Sequence, residues 1–273
     1  MIWTCPVCSR PLVDTGPVAM CNDGHSFDRA RQGYLNLLLS HQKKALNPGD
    51  SLEMVRNRRA FMSRGHFQEL RVALTDVIAR HPLKQPAEKI TVLDVGCGEG
   101  YLSSDLDTNR CDIYGVDISR EAVKLAARDY RKMQFAVASS FRLPVQSQSV
   151  DLLLRSFAPG PAKEIRRVLS PDGALIIVTP GPRHLYELKS WLYKDVQEHK
   201  APDSINGFIL KSQDYLKGEF TLQGREQIVE LLTMTPFNWR GDRTEKESML
   251  KLTEFKVSMD FVISYYVLDK ASS

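Results

Sequence analysis

Residues 92–103 read Val-Leu-Asp-Val-Gly-Cys-Gly-Glu-Gly-Tyr-Leu-Ser, an apolar run carrying a carboxylate at Asp94 and then glycine at every second position, Gly96, Gly98 and Gly100. The pattern predicts a buried parallel strand from Val92, a sharp turn and a helix that starts at once. Glycines so spaced let the backbone adopt angles closed to other residues and let a ligand approach main-chain N–H groups without meeting a Cβ atom. A second strand, Asp112 to Val116, ends on Asp117, seventeen residues after Gly100. Adjacent parallel strands end at one rim, so Asp117 is expected to face the crevice that the glycine loop opens into. A carboxylate there can accept both hydroxyls of a ribose. It can also serve, like Ser119, as an N-cap for a helix over Arg120 to Tyr130. A tight turn without a ligand is the plainer alternative.

The dinucleotide fingerprint is G-x-G-x-x-G, whereas this loop is G-x-G-x-G behind Asp94. It resembles the first motif of the class I S-adenosylmethionine-dependent methyltransferases. That resemblance implies that the loop from Gly96 to Gly100, Cys97, Gly98 and Glu99 included, wraps the methionine end of the cofactor while Asp94 helps hold its ammonium. A third short strand, Gln134 to Ala138, leads into Ser139-Ser140-Phe141. In methyltransferases of this type the end of that strand borders the adenine, which makes Ser139 and Phe141 base-pocket residues.

Near the N-terminus Cys5, Cys8, Cys21 and His25 form a C-x2-C-x12-C-x3-H set. Four such ligands close a tetrahedron around Zn2+ and leave no open position for chemistry, so the site is read as structural. The surrounding segment holds too little apolar side chain to fold without the metal. A redox C-x-x-C pair lacks the strand-and-helix context it needs. Cys97 and Cys111 have no partners at ligand spacing.

Residues 1–85 hold 12 Lys and Arg against 7 Asp and Glu, while the remainder holds 25 against 26, so the front third carries the whole basic excess of a chain with net charge +4. Ser51 is expected to cap a helix with a break at Gly65. Arg56, Arg58, Arg59 and Arg64 crowd onto it, and Lys43 and Lys44 precede it. This front third is read as a polyanion-binding surface, with Lys43, Lys44, Arg58 and Arg59 as RNA-phosphate contacts and a solvated helix face as the alternative. The chain divides into a zinc-binding module at 1–35, a basic helical connector at 36–85 and a methyltransferase domain at 86–273.

Beyond the first three strands the expected order is a strand at Val150–Leu154, a helix at Ala162–Leu169, a turn at Ser170–Gly173, a strand at Ala174–Thr179 and a helix through Trp191 to Val196. A short strand at Glu219–Leu222, a helix at Arg225–Leu232 and a strand within Phe261–Leu268 complete the chain. Alternating βα units imply a parallel, doubly wound α/β sheet of the Rossmann-like class. His184 lies where the chain leaves the rim and is placed to reach cofactor or substrate, or to cap a helix. No apolar run approaches a membrane span, and no basic-then-apolar leader opens the chain, so a cytoplasmic location without a membrane partner is expected.

The zinc set, Gln32 to Leu38, Pro48 to Ser51, Arg58 to Phe61, Val92 to Tyr101, Thr179 to Leu185 and Met234 to Phe237 together resemble the 23S rRNA (guanine-N1)-methyltransferases of the RlmA family. The resemblance implies methyl transfer from S-adenosylmethionine to N1 of a guanine in a hairpin loop of 23S rRNA near the peptide exit tunnel, a structural zinc and a homodimer. It also implies cofactor contacts at Gly33, Phe67, Gly96, Cys97, Asp117 and His184. Phe67 stands where relatives can carry tyrosine, which keeps the stacking face and loses the hydroxyl. Ser156-Phe157-Ala158-Pro159 is not the Asn/Asp-Pro-Pro-aromatic set that grips an exocyclic amine, which agrees with a ring nitrogen as acceptor. No catalytic base is legible. The alternatives are a small-molecule methyltransferase with an accessory zinc lobe and a non-catalytic ribosome-binding module.

Overall fold

A computed structural model describes residues 1–42, 48–81, 89–199, 204–235, 237 and 243–272. Lys43 and Lys44 lie outside the described residues. The chain opens with a three-stranded antiparallel ribbon, β1 (Val13–Asp14), β2 (Val18–Met20) and β3 (Ser26–Asp28). Two tight turns carry the metal-ligand candidates. In the first, Ser9 N–H donates to Cys5 O; in the second, Gly24 N–H donates to Cys21 O with Gly24 at φ +82°.

The next strand, β4 (Leu35–Asn36), joins the main sheet as a parallel neighbour of residues 136–137. Helices α1 (Leu52–Ser63) and α2 (Gln68–Ala79) follow. Ser51 caps α1 by accepting from Met54 N–H, and the pair breaks at Gly65, whose φ of +83° a helix cannot hold. Then come β5 (Ile90–Val95), β6 (Cys111–Asp117), α3 (Arg120–Asp129), β7 (Gln134–Val137), β8 (Val150–Ser156), α4 (Ala162–Val168) and β9 (Leu169–Pro180). The chain continues with α5 (Tyr186–Leu192), β10 (Phe208–Gln223), α6 (Gly224–Met234), α7 (Arg243–Met249) and β11 (Glu254–Leu268).

The eight-stranded sheet runs β10-β11-β9-β8-β5-β6-β7-β4. From β9 to β4 all pairs are parallel, as the βα alternation requires, whereas β11 is antiparallel to both β9 and β10. The sheet is therefore mixed rather than wholly parallel. The expected strand at Glu219–Leu222 is the end of the 16-residue β10, in which Leu216, Phe220 and Leu222 alternate with exposed Tyr215, Lys217, Glu219 and Thr221. The earlier stretch from Ile209 to Asp214 lacks that alternation, and the strand pairs with a partner arriving tens of residues later. The turn at 170–173 is present as a bulge inside β9: Val150 pairs with Leu169 and Leu152 with Ala174, so four residues face Asp151 alone.

No regular helix follows the glycine loop; residues 101–105 form successive turns. Serine hydroxyls there bind elsewhere, Ser104 Oγ to Tyr101 O and Ser103 Oγ to the Asp94 carboxylate, and such local bonds compete with helix.

Both sheet faces are covered, so the strands read as continuous apolar runs. Along β9, Ile176 and Val178 face the core formed with α1, α2, α3 and α6, while Leu175 and Ile177 face the core formed with α4 and the ribbon. Trp3, fully buried, meets Tyr114 edge-on at 5.4 Å, and Thr4 N–H donates to Pro144 O. The ribbon thus shares a core with the sheet.

Candidate active site and metal centre

The ligand atoms of Cys5, Cys8, Cys21 and His25 all lie within 4.8 Å of one another. Cys8 Sγ is 3.6 Å from Cys21 Sγ, and Cys21 Sγ is 3.4 Å from His25 Nδ1. A tetrahedral zinc with bonds of about 2.3 Å to sulfur and about 2.0–2.1 Å to nitrogen separates its ligands by roughly 3.5–3.8 Å. The donor set, the spacing and the buried Cys5 and Cys21 therefore fit a four-coordinate structural zinc.

At the C-terminal rim of the parallel strands the glycine loop folds back on β6. Gly96 and Cys97 N–H both donate to Val116 O, Gly98 N–H to Asp117 Oδ2 at 2.9 Å, and Gly100 N–H to Cys97 O. These amides, which the sequence suggested would face a ligand, are satisfied within the fold. What the glycines provide is space and backbone angle: Gly96 sits at φ +78°, and a Cβ there would lie 2.2 Å from Ala158 Cβ.

Three carboxylates gather behind the loop. Asp94 is buried and accepts from Ser103 Oγ at 2.8 Å, and burial together with Asp117 and Glu99 pushes it up to about 7. Enclosure also raises Glu99 and Asp117, partly offset at both by Arg58. The second Asp117 oxygen accepts from Ser119 N–H at 2.7 Å. A crevice that holds acids against their own ionisation favours a cation and repels a pyrophosphate, which suits the sulfonium and ammonium of S-adenosylmethionine and not a dinucleotide.

Asp94 carries a pH signature. Its folded value lies above the ordinary carboxylate value, so apo stability falls as pH rises from about 4 to about 7. A bound ammonium favours the ionised form, so binding releases a proton. Affinity for S-adenosylhomocysteine is expected to rise roughly ten-fold between pH 6 and pH 8. Calorimetry in buffers of different ionisation enthalpy reads the released proton directly, and a pH-independent affinity would contradict this role for Asp94.

Of the other expected site residues, Ser139 lies just past the end of β7, where Ala138 N–H donates to Asp117 O, and its Oγ accepts from Phe141 N–H. Phe141 is exposed beside it. His184 is buried against Phe261 at 4.5 Å, with Phe67 at 6.1 Å and the Phe157 ring nearly parallel at 6.4 Å. Burial first, then His199 and Lys189, push the His184 imidazole down to about 3. Asp260 N–H points at its Nδ1 from 3.5 Å, so the neutral ring keeps its proton on Nε2. Gly33 stands apart, beside Met133 and Gln134 at the start of β7, the end of that strand away from Ser139.

Arg58 and Arg59 are both ion-paired within the chain, Arg58 with Asp50 while also donating to the Met234 carbonyl and the more exposed Arg59 with Asp129. Arg64 likewise forms a two-bond pair with buried Glu230. The acids come from 8, 70 and 166 residues away along the chain, which is why helix α1 looks like a free basic face in sequence.

Sequence reasoning missed three neighbours. Asp50 seats the turn before α1 on the crevice, its carbonyl accepting from Ser119 Oγ. Asp260 accepts from Arg183 N–H through Oδ2, and its main chain pairs with Gly181, clamping the turn that carries His184. Phe157, half exposed with φ +55°, presents its ring at the end of β8. The non-standard Ser-Phe-Ala-Pro run marked Phe157 and the Pro48 to Ser51 block contained Asp50, while no sequence signal marked Asp260.

Residues 3–46 match the family described as RlmA, N-terminal, and residues 86–225 match the methyltransferase domain family. A 23S rRNA (guanine(748)-N(1))-methyltransferase of Streptomyces fradiae is 34% identical over 249 residues, covering 88% of this chain and 87% of that protein. A protein of Micromonospora griseorubida named for 23S rRNA (guanine-N(1)-)-methyltransferase is 34% identical over 259 residues, covering 87% of each chain. The chain belongs to the 23S rRNA (guanine-N1)-methyltransferase family. The family's two parts, the RlmA ribbon and the class I methyltransferase fold, are thus the two bodies that share a core around Trp3. A malonyl-[acyl-carrier protein] O-methyltransferase of Enterobacter lignolyticus is 27% identical over 166 residues, covering only 58% of this chain. Among the described residues no helix is long and apolar enough to cross a membrane.

Proposed function

We propose that the protein transfers the methyl group of S-adenosylmethionine to N1 of a guanine in a hairpin loop of 23S rRNA. The observation that carries this reading is kinship along most of the chain, ribbon included, with proteins named for that activity. The acid-lined glycine cradle supports it. When bound, S-adenosylmethionine supplies an electrophilic methyl on a sulfonium.

The protein's part is placement. Gly96 to Gly100 make room at the loop, Asp94 neutralises the ammonium side, Asp117 offers its remaining lone pairs to the ribose, and Ser139 with Phe141 borders the base. Guanine N1 carries a proton at neutral pH, so attack on the methyl requires that proton to leave. His184, neutral and protonated on Nε2, acts there as a hydrogen-bond donor to cofactor or base and not as the proton acceptor. Phe157, with an exposed ring at the mouth, gives an unstacked guanine a flat surface. Location in the cytoplasm with the rRNA and assembly as a homodimer belong to the same reading.

The test is methyl incorporation from labelled cofactor into protein-free 23S rRNA, followed by reverse transcription, because a methyl on N1 blocks pairing. One strong stop next to a single guanine is expected. No stop at any guanine, or equal transfer to a small carboxylic acid or an acyl carrier protein, would replace this function with another.

A further inference from the structure

Arg58 is engaged by Asp50, and Arg59 shares the single carboxylate of Asp129 with Arg128, while a second basic surface lies on α3. Along α3 the residues Arg120, Lys124 and Arg128 recur at four-residue intervals and are all exposed, so they form one stripe on the helix. The helix is about 15 Å long at 1.5 Å per residue. Its first turn abuts the crevice, since Ser119 N–H donates to Asp117 and Ser119 Oγ accepts from Ala122 N–H. Its far end opens into a hollow of about 780 Å³ between the ribbon and the sheet, lined by Arg29, Arg31, Arg128 and Arg131 with Asp14 as the one acid. Arg29 is paired with Asp14 and Arg128 with Asp129. Arg31, Lys124 and Arg131 have no ion pair among the described residues and are exposed. Arg120 Nε donates to the buried Tyr34 hydroxyl at 3.4 Å, which ties the stripe to the end of the ribbon.

A solvated helix face accounts for the stripe alone. It does not account for a concave seam where two separate parts of the fold both present arginines, nor for a row of cations that begins three residues from Asp117. We propose that the α3 stripe and the seam hollow together form the track on which the phosphodiester backbone of the substrate RNA lies, with the stem over Arg31 and Arg131 and the loop nucleotide delivered past Arg120 into the crevice. Cationic side chains without internal partners keep their full charge for phosphates, and binding there releases condensed counterions. This inference rests on the rRNA-methyltransferase reading above.

The experiment uses the full-length zinc-loaded protein and compares wild type, the triple variant Arg31→Gln/Lys124→Gln/Arg131→Gln, and a control Lys211→Gln/Lys217→Gln on β10, at the opposite edge of the sheet. Binding of a labelled 23S rRNA hairpin is followed by anisotropy across a salt series, together with methylation kinetics and binding of S-adenosylhomocysteine. The triple variant is expected to bind RNA roughly ten-fold or more weakly at moderate salt. The magnitude of its log K against log salt slope should fall by roughly 0.7 to 0.9 for each phosphate that no longer meets a cation. Its KM for RNA should rise, while kcat at saturating RNA and cofactor affinity stay at wild-type values. If wild type methylates no guanine of 23S rRNA, the function reading fails, and this track with it. If wild type methylates and the triple variant matches the control in affinity and slope, the track alone is overturned. A changed sedimentation coefficient with unchanged RNA affinity would also overturn it, because the surface would then be an interface between copies.

Discussion

Gly96→Ala is expected to abolish useful cofactor binding while leaving the protein folded. A left-handed backbone angle costs an L-residue about 1–2 kcal/mol, and the new Cβ would sit 2.2 Å from Ala158 Cβ, closer than any van der Waals contact allows. The loop must move to relieve both. Moving it breaks the two amide bonds to Val116 O and disturbs the Gly98 bond to Asp117, which together fix the crevice wall. A combined cost of about 3 kcal/mol or more, expressed in the bound state, corresponds to a loss of over a hundred-fold in affinity for S-adenosylhomocysteine. Circular dichroism should report native secondary structure with a lower midpoint. Wild-type affinity in a folded Gly96→Ala protein would show that the cradle is elsewhere.

Cys21→Ser should be the most damaging single change for stability. Three remaining ligands hold zinc poorly, and the metal-binding free energy of such small modules is on the order of 10 kcal/mol or more. A methyltransferase domain with a core wholly its own would be largely spared. The shared packing of Trp3 on Tyr114, and the bonds from Thr4 to Pro144 O and from Gln146 N–H to Ile2 O, imply instead that the damage spreads into the sheet. If about a third of the metal-binding free energy is transmitted through the shared core to the stability of the sheet, the melting midpoint falls by about 10 °C at roughly 2–4 °C per kcal/mol. Zinc content near zero, that shift, and a red-shifted emission from exposed Trp3 should appear together. A variant lacking zinc that melts like wild type would refute the structural role.

The local signals carried the crevice well. Asp94, the three glycines and Asp117 predicted two adjacent strand ends, and the structure joins them through the Gly98–Asp117 bond. Four ligands at short spacing likewise come together because two tight turns suffice to bring them there. What could not be read depends on partners distant in sequence. Whether Arg58, Arg59 and Arg64 were free was decided by Asp50, Asp129 and Glu230. Asp260 reaches the His184 turn only because β11 is antiparallel to β9. The helix expected after Gly100 failed for a local reason, since Ser103 had a buried carboxylate to satisfy.

The strand β4 closes one edge of the sheet by pairing Leu35 with Ala136 and Asn36 with Val137, and Trp3 is paired across to Val145. During synthesis the ribbon leaves the ribosome about a hundred or more residues before those partners. At about 5–20 residues per second it waits on the order of ten seconds with an apolar face and an unpaired edge strand in water. Early metal uptake would keep the nascent ribbon compact through that interval. Zinc supply at the time of translation would therefore govern how much of the newly made chain reaches the native state.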